Sequence, residues 1–201
     1  MELVQVTYQG PPVDDPELFE LLPPELRALL EQINGFVQFS GGLHIRGASR
    51  DPEWHSLRRV WMSEHAFHTY YRAMGATDIP FGQDYLGNQF LLRNGLVAMM
   101  EAELGHITEL NLTLPDFIEA VQADPNTTLN LEPLWAFQQD NAPLEPGELL
   151  HADPPLCSDQ AMTGYTLTRK PAVQHLADLR AYYTKIKVMS DTGRINAKKG
   201  E

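Results

Sequence analysis

The sequence contains one cysteine, no lysine in its first four-fifths, and no long apolar run. Because Cys157 is the only cysteine among 201 residues, an internal disulfide and a zinc site with several cysteines are both excluded. The longest apolar run, Leu96–Met100, has the length of a strand and falls far short of the roughly 18 residues that a membrane-spanning helix requires. Since no lysine precedes Lys170, a G-x-x-x-x-G-K-S/T phosphate loop is excluded as well.

Common patterns of catalytic sites are also missing. No G-x-S-x-G nucleophile motif occurs. Cys157 lies in a proline-rich stretch together with Asp153 and Asp159, and negative charge disfavours the thiolate that a catalytic cysteine needs. We therefore expect neither catalytic residues nor a cofactor.

One histidine pair leaves a metal-dependent enzyme open as an alternative. His65 and His68 are three residues apart in a stretch predicted to be helical, so they can share a face and hold a metal. In a zinc-protease helix the two histidines are four apart and a glutamate follows the first, whereas here Glu64 precedes the pair. The pattern favours structural or solvated histidines, and we expect no metal.

The charge of the chain is distributed unevenly. Residues 1–168 contain seven arginines, no lysine and 24 acidic residues, a net charge of −17, whereas residues 169–201 carry a net charge of +5. Residues 1–168, the acidic body of the protein, repel the phosphate backbone of nucleic acids, which predicts that the protein binds no nucleic acid. It favours encounter with a basic protein instead. General solubility is the alternative explanation of the acidic composition.

Composition predicts a folded protein of the cytoplasm. Hydrophobic residues make up 43% of the sequence and charged residues 21%, which is typical of globular domains. The first ten residues, MELVQVTYQG, contain neither a basic segment nor the apolar centre of a signal peptide. We expect a cytoplasmic protein that does not bind membranes.

Apolar spacing and turn residues predict the elements of the first half of the chain. Leu26, Leu29 and Leu30 share one helical face. Ser63 and Gly75 provide the N-cap and C-cap of a later helix. The predicted elements are a strand over 2–8, a helix from 24 to 33, a hairpin of strands 36–39 and 43–46, and a helix over 63–74.

The second half contains the clearest strand pattern. Residues 88–93 and 96–101 flank Asn94-Gly95, a dipeptide favoured in type I′ hairpin turns, and a strand over 107–112 completes an antiparallel meander. The other predicted elements are a helix capped by Thr113, a helix over 131–139, a long loop over 141–159, a helix over 171–186, and a short strand at 194–195 in a mobile tail.

Residues 79–90, with the sequence IPFGQDYLGNQF, predict a tight hydrogen-bonded loop. Asp84 is expected to accept backbone N–H groups, Gly87 to adopt a positive φ, and Asn88 to bond back to the chain. Such a loop specifies a fold more directly than it specifies a reaction.

Four segments, in this order along the chain, resemble the SUKH superfamily, whose members include the yeast cell-wall assembly regulator and many bacterial immunity proteins. They are LPPELRALLEQINGF at 22–36, GGLHIRG at 41–47, FGQDYLGNQFLL at 81–92 and NGLVAMMEAELGHITELNLTLPDFIEAV at 94–121. The third is similar to the family's F-G-x-D-x-x-G-N-x-F stretch through Phe81, Gly82, Asp84, Gly87, Asn88 and Phe90.

The resemblance implies a single α+β domain over residues 1–190, with a central antiparallel sheet, including a meander, flanked by helices. Its best-matched part is 22–121, residues 122–190 form a helical and loop extension, and 191–201 form a flexible basic tail. It also implies a non-catalytic role, because bacterial members typically neutralise a toxin, often a nuclease, by binding it. We therefore predict an immunity-type protein that binds a basic toxin domain. A regulatory or scaffolding module with an endogenous protein partner is the alternative.

Partner-binding residues are predicted among the acidic side chains of the meander and of the 141–159 loop. A slip of one residue in strand register would reverse the face on which the meander residues lie. The predicted residues are Glu101, Glu103, Glu109, Glu145, Glu148 and Asp153.

Overall fold

The central sheet consists of antiparallel strands arranged in the order in which they follow one another along the chain. The computed structural model of the protein describes residues 3–191. Within that range the sheet has seven strands: β1 (Val6–Gln9), β2 (Phe36–Gln38), β3 (Leu43–Ile45), β4 (Ile79–Asp84), β5 (Gln89–Arg93), β6 (Leu96–Met100) and β7 (Ile107–Leu112). A separate hairpin pairs β8 (Glu148–Asp153) with β9 (Thr166–Pro171).

Helices surround the sheet, so the predicted α+β class with a meander-containing antiparallel sheet is confirmed. Phe117 of the fourth helix packs against Phe81 of β4 and Phe90 of β5, with ring centroids 6.0 and 4.8 Å away. Every residue of β4 is buried, so both faces at the middle of the sheet are covered. The helices are α1 (Pro16–Glu20), α2 (Pro24–Gln32), α3 (Leu57–Trp61), α4 (Leu114–Ala123), α5 (Pro125–Leu129), α6 (Glu132–Asp140) and α7 (Ala172–Asp191).

The β5–β6 hairpin and the helix after it form as the sequence predicts. Arg93 faces Leu96 across the turn, where Asn94 and Gly95 have φ values of 51° and 81°. Both angles are positive, as a type I′ turn requires. Thr113 caps α4 by accepting a hydrogen bond from the backbone N–H of Asp116.

Edge strand β7 is irregular. Its register against β6 shifts between Val97 and Ala98, and Asn111 has a φ of 57°. Glu109 lies opposite Ala98, and its carboxylate is 3.6 Å from Arg93 Nη1. None of the helices within residues 3–191 combines the length and apolarity needed to cross a membrane.

The prediction of a helix over residues 63–74 is wrong. Ser63 follows Met62, the C-cap of α3, and its hydroxyl donates to the carbonyl of Arg59 in that helix instead of capping a new one. A short 3₁₀ turn, Phe67–Thr69, follows. Phe67 and Tyr71 have helical spacing and are buried, yet neither lies in an α-helix. Tertiary contacts hold both: the Arg46 guanidinium lies over the Phe67 ring, and the Tyr71 hydroxyl donates to the carbonyl of Ala102.

The prediction of a long loop over 141–159 is also wrong in part, because β8 occupies the middle of it. Leu149, Leu150 and Ala152 of β8 are buried, but flanking prolines and acidic residues hide this pattern in the sequence. Strand β9 and helices α1, α3 and α5 were not predicted, and strand β4 forms the first half of the segment 79–90 that was predicted to be a loop. Of the tail predicted over 191–201, only Asp191 is described, and it is the last residue of α7. The strand predicted at 194–195 lies outside the described residues.

Arg46, directly after β3, is fully buried with neutral partners. Its guanidinium donates to the carbonyls of Pro80 and Gly82 at 2.8 and 3.2 Å, and to the side-chain oxygens of Gln83 and Gln89 at 2.5 and 2.8 Å. Among residues 3–191 no carboxylate forms an ion pair with it. Burial lowers the pKa of Arg46 to about 9, so it remains a cation at neutral pH.

A chain of hydrogen bonds continues from this cation through two buried histidines. The backbone carbonyl of Asn34 can only accept, so His55 Nε2 donates to it at 2.9 Å and His55 Nδ1 accepts. His44 Nε2 must then donate to His55 Nδ1 at 2.9 Å, and His44 Nδ1 accepts from Gln83 Nε2 at 3.2 Å. This arrangement requires both imidazoles to be neutral.

The free energy of unfolding is expected to fall as the pH drops below 6.5. Burial lowers the pKa of His44 well below that value and the pKa of His55 and His175 to about 4, so at lower pH the unfolded chain binds more protons than the folded one. Burial raises the pKa of Asp84 to about 6, so its proton uptake in the folded state offsets part of the loss. We expect a net loss of about 2 to 3 kcal/mol per pH unit between about pH 6 and pH 5.

Urea denaturation at several pH values measures this slope. His175→Gln should lower the slope by about 1.4 kcal/mol per pH unit, because one buried imidazole is removed. His106→Gln is the matched control, since His106 is exposed, and should leave the slope unchanged. A free energy of unfolding that stays constant from about pH 7 to pH 5 would contradict the neutral histidines.

Candidate functional site

The turn between β4 and β5 is organised by Asp84, as the sequence predicts. One carboxylate oxygen accepts the backbone N–H groups of Leu86 and Asn88, both at 2.9 Å, and the other accepts Asn88 Nδ2 at 2.8 Å. Gly87 has a φ of 88°, and Asn88 Oδ1 accepts the backbone N–H of Ala102 at 3.0 Å. Asp84 and Asn88 therefore fix both this turn and the start of the segment after β6.

The remaining residues of the motif are structural too. Phe81 and Phe90 enter the core against Phe117. A Cβ at Gly82 would lie 3.0 Å from the carbonyl oxygen of His44, so the strand pair β3–β4 leaves little room for a side chain there. The motif shapes a surface and exposes few reactive groups.

The C-terminal hairpin and helix dock on this turn. The backbone N–H of Leu150 donates to the carbonyl of Tyr85 at 2.8 Å, and His175 Nε2 donates to the carbonyl of Leu86 at 3.1 Å. A Cβ at Gly87 would be 3.0 Å from Leu179 Cδ1, so glycine allows α7 to approach closely. The extension over 122–190 thus builds directly on the residues of the motif.

A recess of about 330 Å³ lies where the turn, the end of β6 and the C-terminal elements meet. Apolar side chains form most of its wall, and His175 adds a neutral imidazole, since burial lowers its pKa to about 4. The lining residues are Leu86, Asn88, Met99, Glu101, Glu103, Leu104, Leu150, Ala152, Leu156, Cys157, His175 and Leu179.

Two of the predicted partner-binding residues, Glu101 and Glu103, line the recess and differ in role. Glu103 accepts the backbone N–H groups of Leu156 and Cys157 at 3.1 and 2.7 Å, so it anchors the connection after β8. The side chain of Glu101 is 47% exposed, and its carboxylate is 3.9 Å from Nδ1 of the exposed His106. Glu101 is therefore the accessible negative charge of the recess, whereas Glu103 is structural.

The other predicted acidic residues do not line the recess. Glu109 of β7 lies near Arg93 of β5, as described above. Glu148 accepts the backbone N–H of Glu145 at 2.9 Å, a contact that shapes the turn before β8. Asp153 is exposed at the end of β8. The six predicted acids therefore do not form one cluster.

Cys157 is protected from ionisation. Burial raises the pKa of its thiol, and the nearby carboxylate of Glu103 raises it further, while Sγ lies 3.4 Å from the Tyr182 hydroxyl. The sequence indicated Asp153 and Asp159 as the acids near this thiol, but the acid that acts on it is Glu103. This surrounding favours the neutral thiol over a nucleophilic thiolate.

The metal-site alternative gains no support from the geometry. His65 and His68 do not share a helix, since α3 ends at Trp61 and His68 lies in the 3₁₀ turn. Among the described residues, no group of three or more histidine, cysteine, aspartate or glutamate side chains could hold a metal ion.

Sequence reasoning missed the C-terminal wall of the recess. The helix predicted over 171–186 corresponds to α7, in which Leu176, Leu179 and Tyr183 are buried. Nothing in the spacing indicated that His175 would reach the β4–β5 turn, because that contact joins positions 89 residues apart. No family model and no curated protein matches the chain.

Replacing Asp84 by asparagine should destabilise the fold. The Asp84→Asn side chain has one acceptor oxygen, and its NH₂ group would face a donor of Asn88, so at least one buried N–H loses its partner. We expect a loss of about 2 kcal/mol in the free energy of unfolding. Asp140→Asn, at an exposed position of α6, is the control and should change it by less than about 0.5 kcal/mol. Equal effects of the two substitutions in urea denaturation would contradict the role of Asp84.

Alkylation of Cys157 by iodoacetamide should be at least about tenfold slower in the folded protein than in the urea-unfolded chain, because the folded environment disfavours the thiolate. Glu103→Gln removes a nearby negative charge and should move the midpoint of the pH–rate profile to lower pH. Mass spectrometry at several pH values measures both effects. A faster rate without a shift of the midpoint would show that the substitution only exposes the thiol.

Proposed function

We propose that the protein is a non-catalytic protein-binding domain of the immunity type, which neutralises a basic toxin domain by direct binding. The observation that carries this proposal is the recess: an apolar wall beside the accessible carboxylate of Glu101, on a body whose residues 1–168 have a net charge of −17. An apolar recess with a charged border is the arrangement in which protein interfaces place their central contacts.

The resemblance to the SUKH superfamily supports the same function. The six residues of its F-G-x-D-x-x-G-N-x-F stretch lie in and beside the β4–β5 turn, and that turn forms one side of the recess. A toxin domain with a basic surface, such as a nuclease, would be attracted to the acidic body over several ångströms, which accelerates encounter at low salt. Occlusion of the toxin's own active surface would then suffice for neutralisation.

The direct test uses the toxin encoded next to the gene for this protein. We expect a stable complex between the two purified proteins at low ionic strength, and survival of cells that express both. Absence of a complex together with absence of protection would remove the proposal. Binding without protection would retain a protein-binding role and remove neutralisation.

Charge reversal at the recess and on the neighbouring strand should slow association. The double variant Glu101→Lys/Glu109→Lys should associate with that toxin about tenfold more slowly than the unchanged protein at low ionic strength. The difference between the two association rates should shrink as salt is added. Stopped-flow fluorescence measures the rate, and circular dichroism confirms that the variant is folded.

Glu31→Lys/Glu119→Lys is the matched control. Both residues are exposed, on α2 and α4, and the pair changes the net charge by the same amount. The control should slow association by no more than about threefold, because it alters the total charge without altering the proposed surface. Equal slowing by both pairs would show that the total charge matters and that this surface does not.

A further inference from the structure

We infer that the recess receives one apolar side chain of a partner protein that stands next to a lysine or arginine, whose cation pairs with Glu101. This inference rests on the proposed protein-binding function and names the chemistry that the site recognises. It follows from the composition of the wall, from the hydrogen bonds that occupy the polar groups there, and from the surface around the opening.

The wall accepts an apolar group. Its volume of about 330 Å³ is at the lower end of ligand pockets, which span roughly 300 to 1,000 Å³, and it suits a single large side chain. Five leucines, each from a different segment, contribute to it, together with Met99 and Ala152. Neutral His175 adds no charge at physiological pH, since its pKa is lowered to about 4.

Most polar groups of the recess are already engaged within the protein. Asn88 donates to Asp84 and accepts from Ala102, and the Glu103 carboxylate accepts two backbone N–H groups. Two groups are exceptions: the half-exposed carboxylate of Glu101, which is 3.9 Å from Nδ1 of His106, and His175 Nδ1, which is buried and has no hydrogen-bond partner among the described residues. The recess therefore provides an apolar contact, one neutral acceptor at His175 Nδ1 and one negative charge at Glu101, which fits an apolar side chain beside a cation.

The connection that forms part of the wall favours a protein over a small amine. The connection between β8 and β9, which contributes Leu156 and Cys157 to the wall, also exposes apolar side chains: Leu156 is 37% exposed, Met162 88% and Tyr165 43%. A small molecule inside the recess would leave these groups in water, whereas a protein surface can cover them. The acidic body adds charge complementarity toward a basic partner.

Capped tripeptides test the chemistry without knowledge of the partner. The probes are acetyl-Gly-Phe-Lys-amide, its counterpart with Glu in place of Lys, and its counterpart with Ser in place of Phe. In NMR titrations of the ¹⁵N-labelled protein, the Phe-Lys peptide should shift the amides of Leu86, Leu104 and Leu156. It should bind about threefold to tenfold more tightly than the Phe-Glu peptide, and the Ser-Lys peptide should bind most weakly.

Two variants and two controls locate the binding. Glu101→Gln should bring the affinity ratio of the Phe-Lys and Phe-Glu peptides close to one, whereas Glu145→Gln, at an exposed acid outside the recess, should leave it unchanged. Ala152→Met places a larger side chain in the recess and should abolish the shifts. Met162→Ala, on the same hairpin but outside the wall, should retain them. If Ala152→Met does not fold, Leu104→Ala provides the second variant and should weaken binding.

Several outcomes would overturn the inference. Equal affinities for the Phe-Lys and Phe-Glu peptides would remove the role of Glu101, and shifts elsewhere on the protein would remove the recess. Tighter binding of phenethylamine than of the Phe-Lys peptide would identify a small amine as the occupant. If the toxin binds but the peptides do not, the recess fails and the proposed function stands. If the peptides bind but the toxin neither binds nor is neutralised, the recess stands and the toxin function fails.

Discussion

A positive charge buried among neutral oxygens determines how the centre of this protein is built. Removing the Arg46 cation from water is costly, and here carbonyls of β4 and side-chain amides of β4 and β5 offset that cost. Since each of these oxygens must point at one guanidinium, the irregular pairing of β4 with β5 between Ile79 and Gly82 is held in place. The same cation orients Gln83, and Gln83 begins the chain of hydrogen bonds that runs through the two histidines to the carbonyl of Asn34.

This polar centre is linked to the surface site through the β4–β5 turn. Gln89 contacts Arg46 through its oxygen and donates from Nε2 to the carbonyl of Gly87 at 2.6 Å, so one side chain joins the buried cation to the turn. Asp84 then holds the other side of that turn, and the carbonyls of Tyr85 and Leu86 receive the C-terminal hairpin and helix. The wall of the recess is therefore positioned by backbone contacts with a rigid turn, which favours a preformed binding surface.

The elements that the sequence predicted correctly are those whose structure depends on local chemistry. The β5–β6 hairpin follows from Asn94-Gly95, α4 from the cap at Thr113, and the β4–β5 turn from Asp84, Gly87 and Asn88. Tertiary contacts decided the failures. Residues 63–74 have helical spacing but are held by Arg46 and Ala102, and β8 is a strand because it pairs with the unpredicted β9. The candidate site was predicted only in part, since Glu101 and Glu103 come from the meander while the opposite wall comes from residues more than 40 positions later.

The irregular edge strand β7 has a consequence for the behaviour of the protein in concentrated solution. A straight terminal strand is a template on which a second copy can add its own strand, and this is a common route to aggregation. Here the register shift and the positive φ of Asn111 bend the strand, and Glu109 places a carboxylate on it. Both features oppose edge-to-edge association, so the meander can end in water without recruiting further chains.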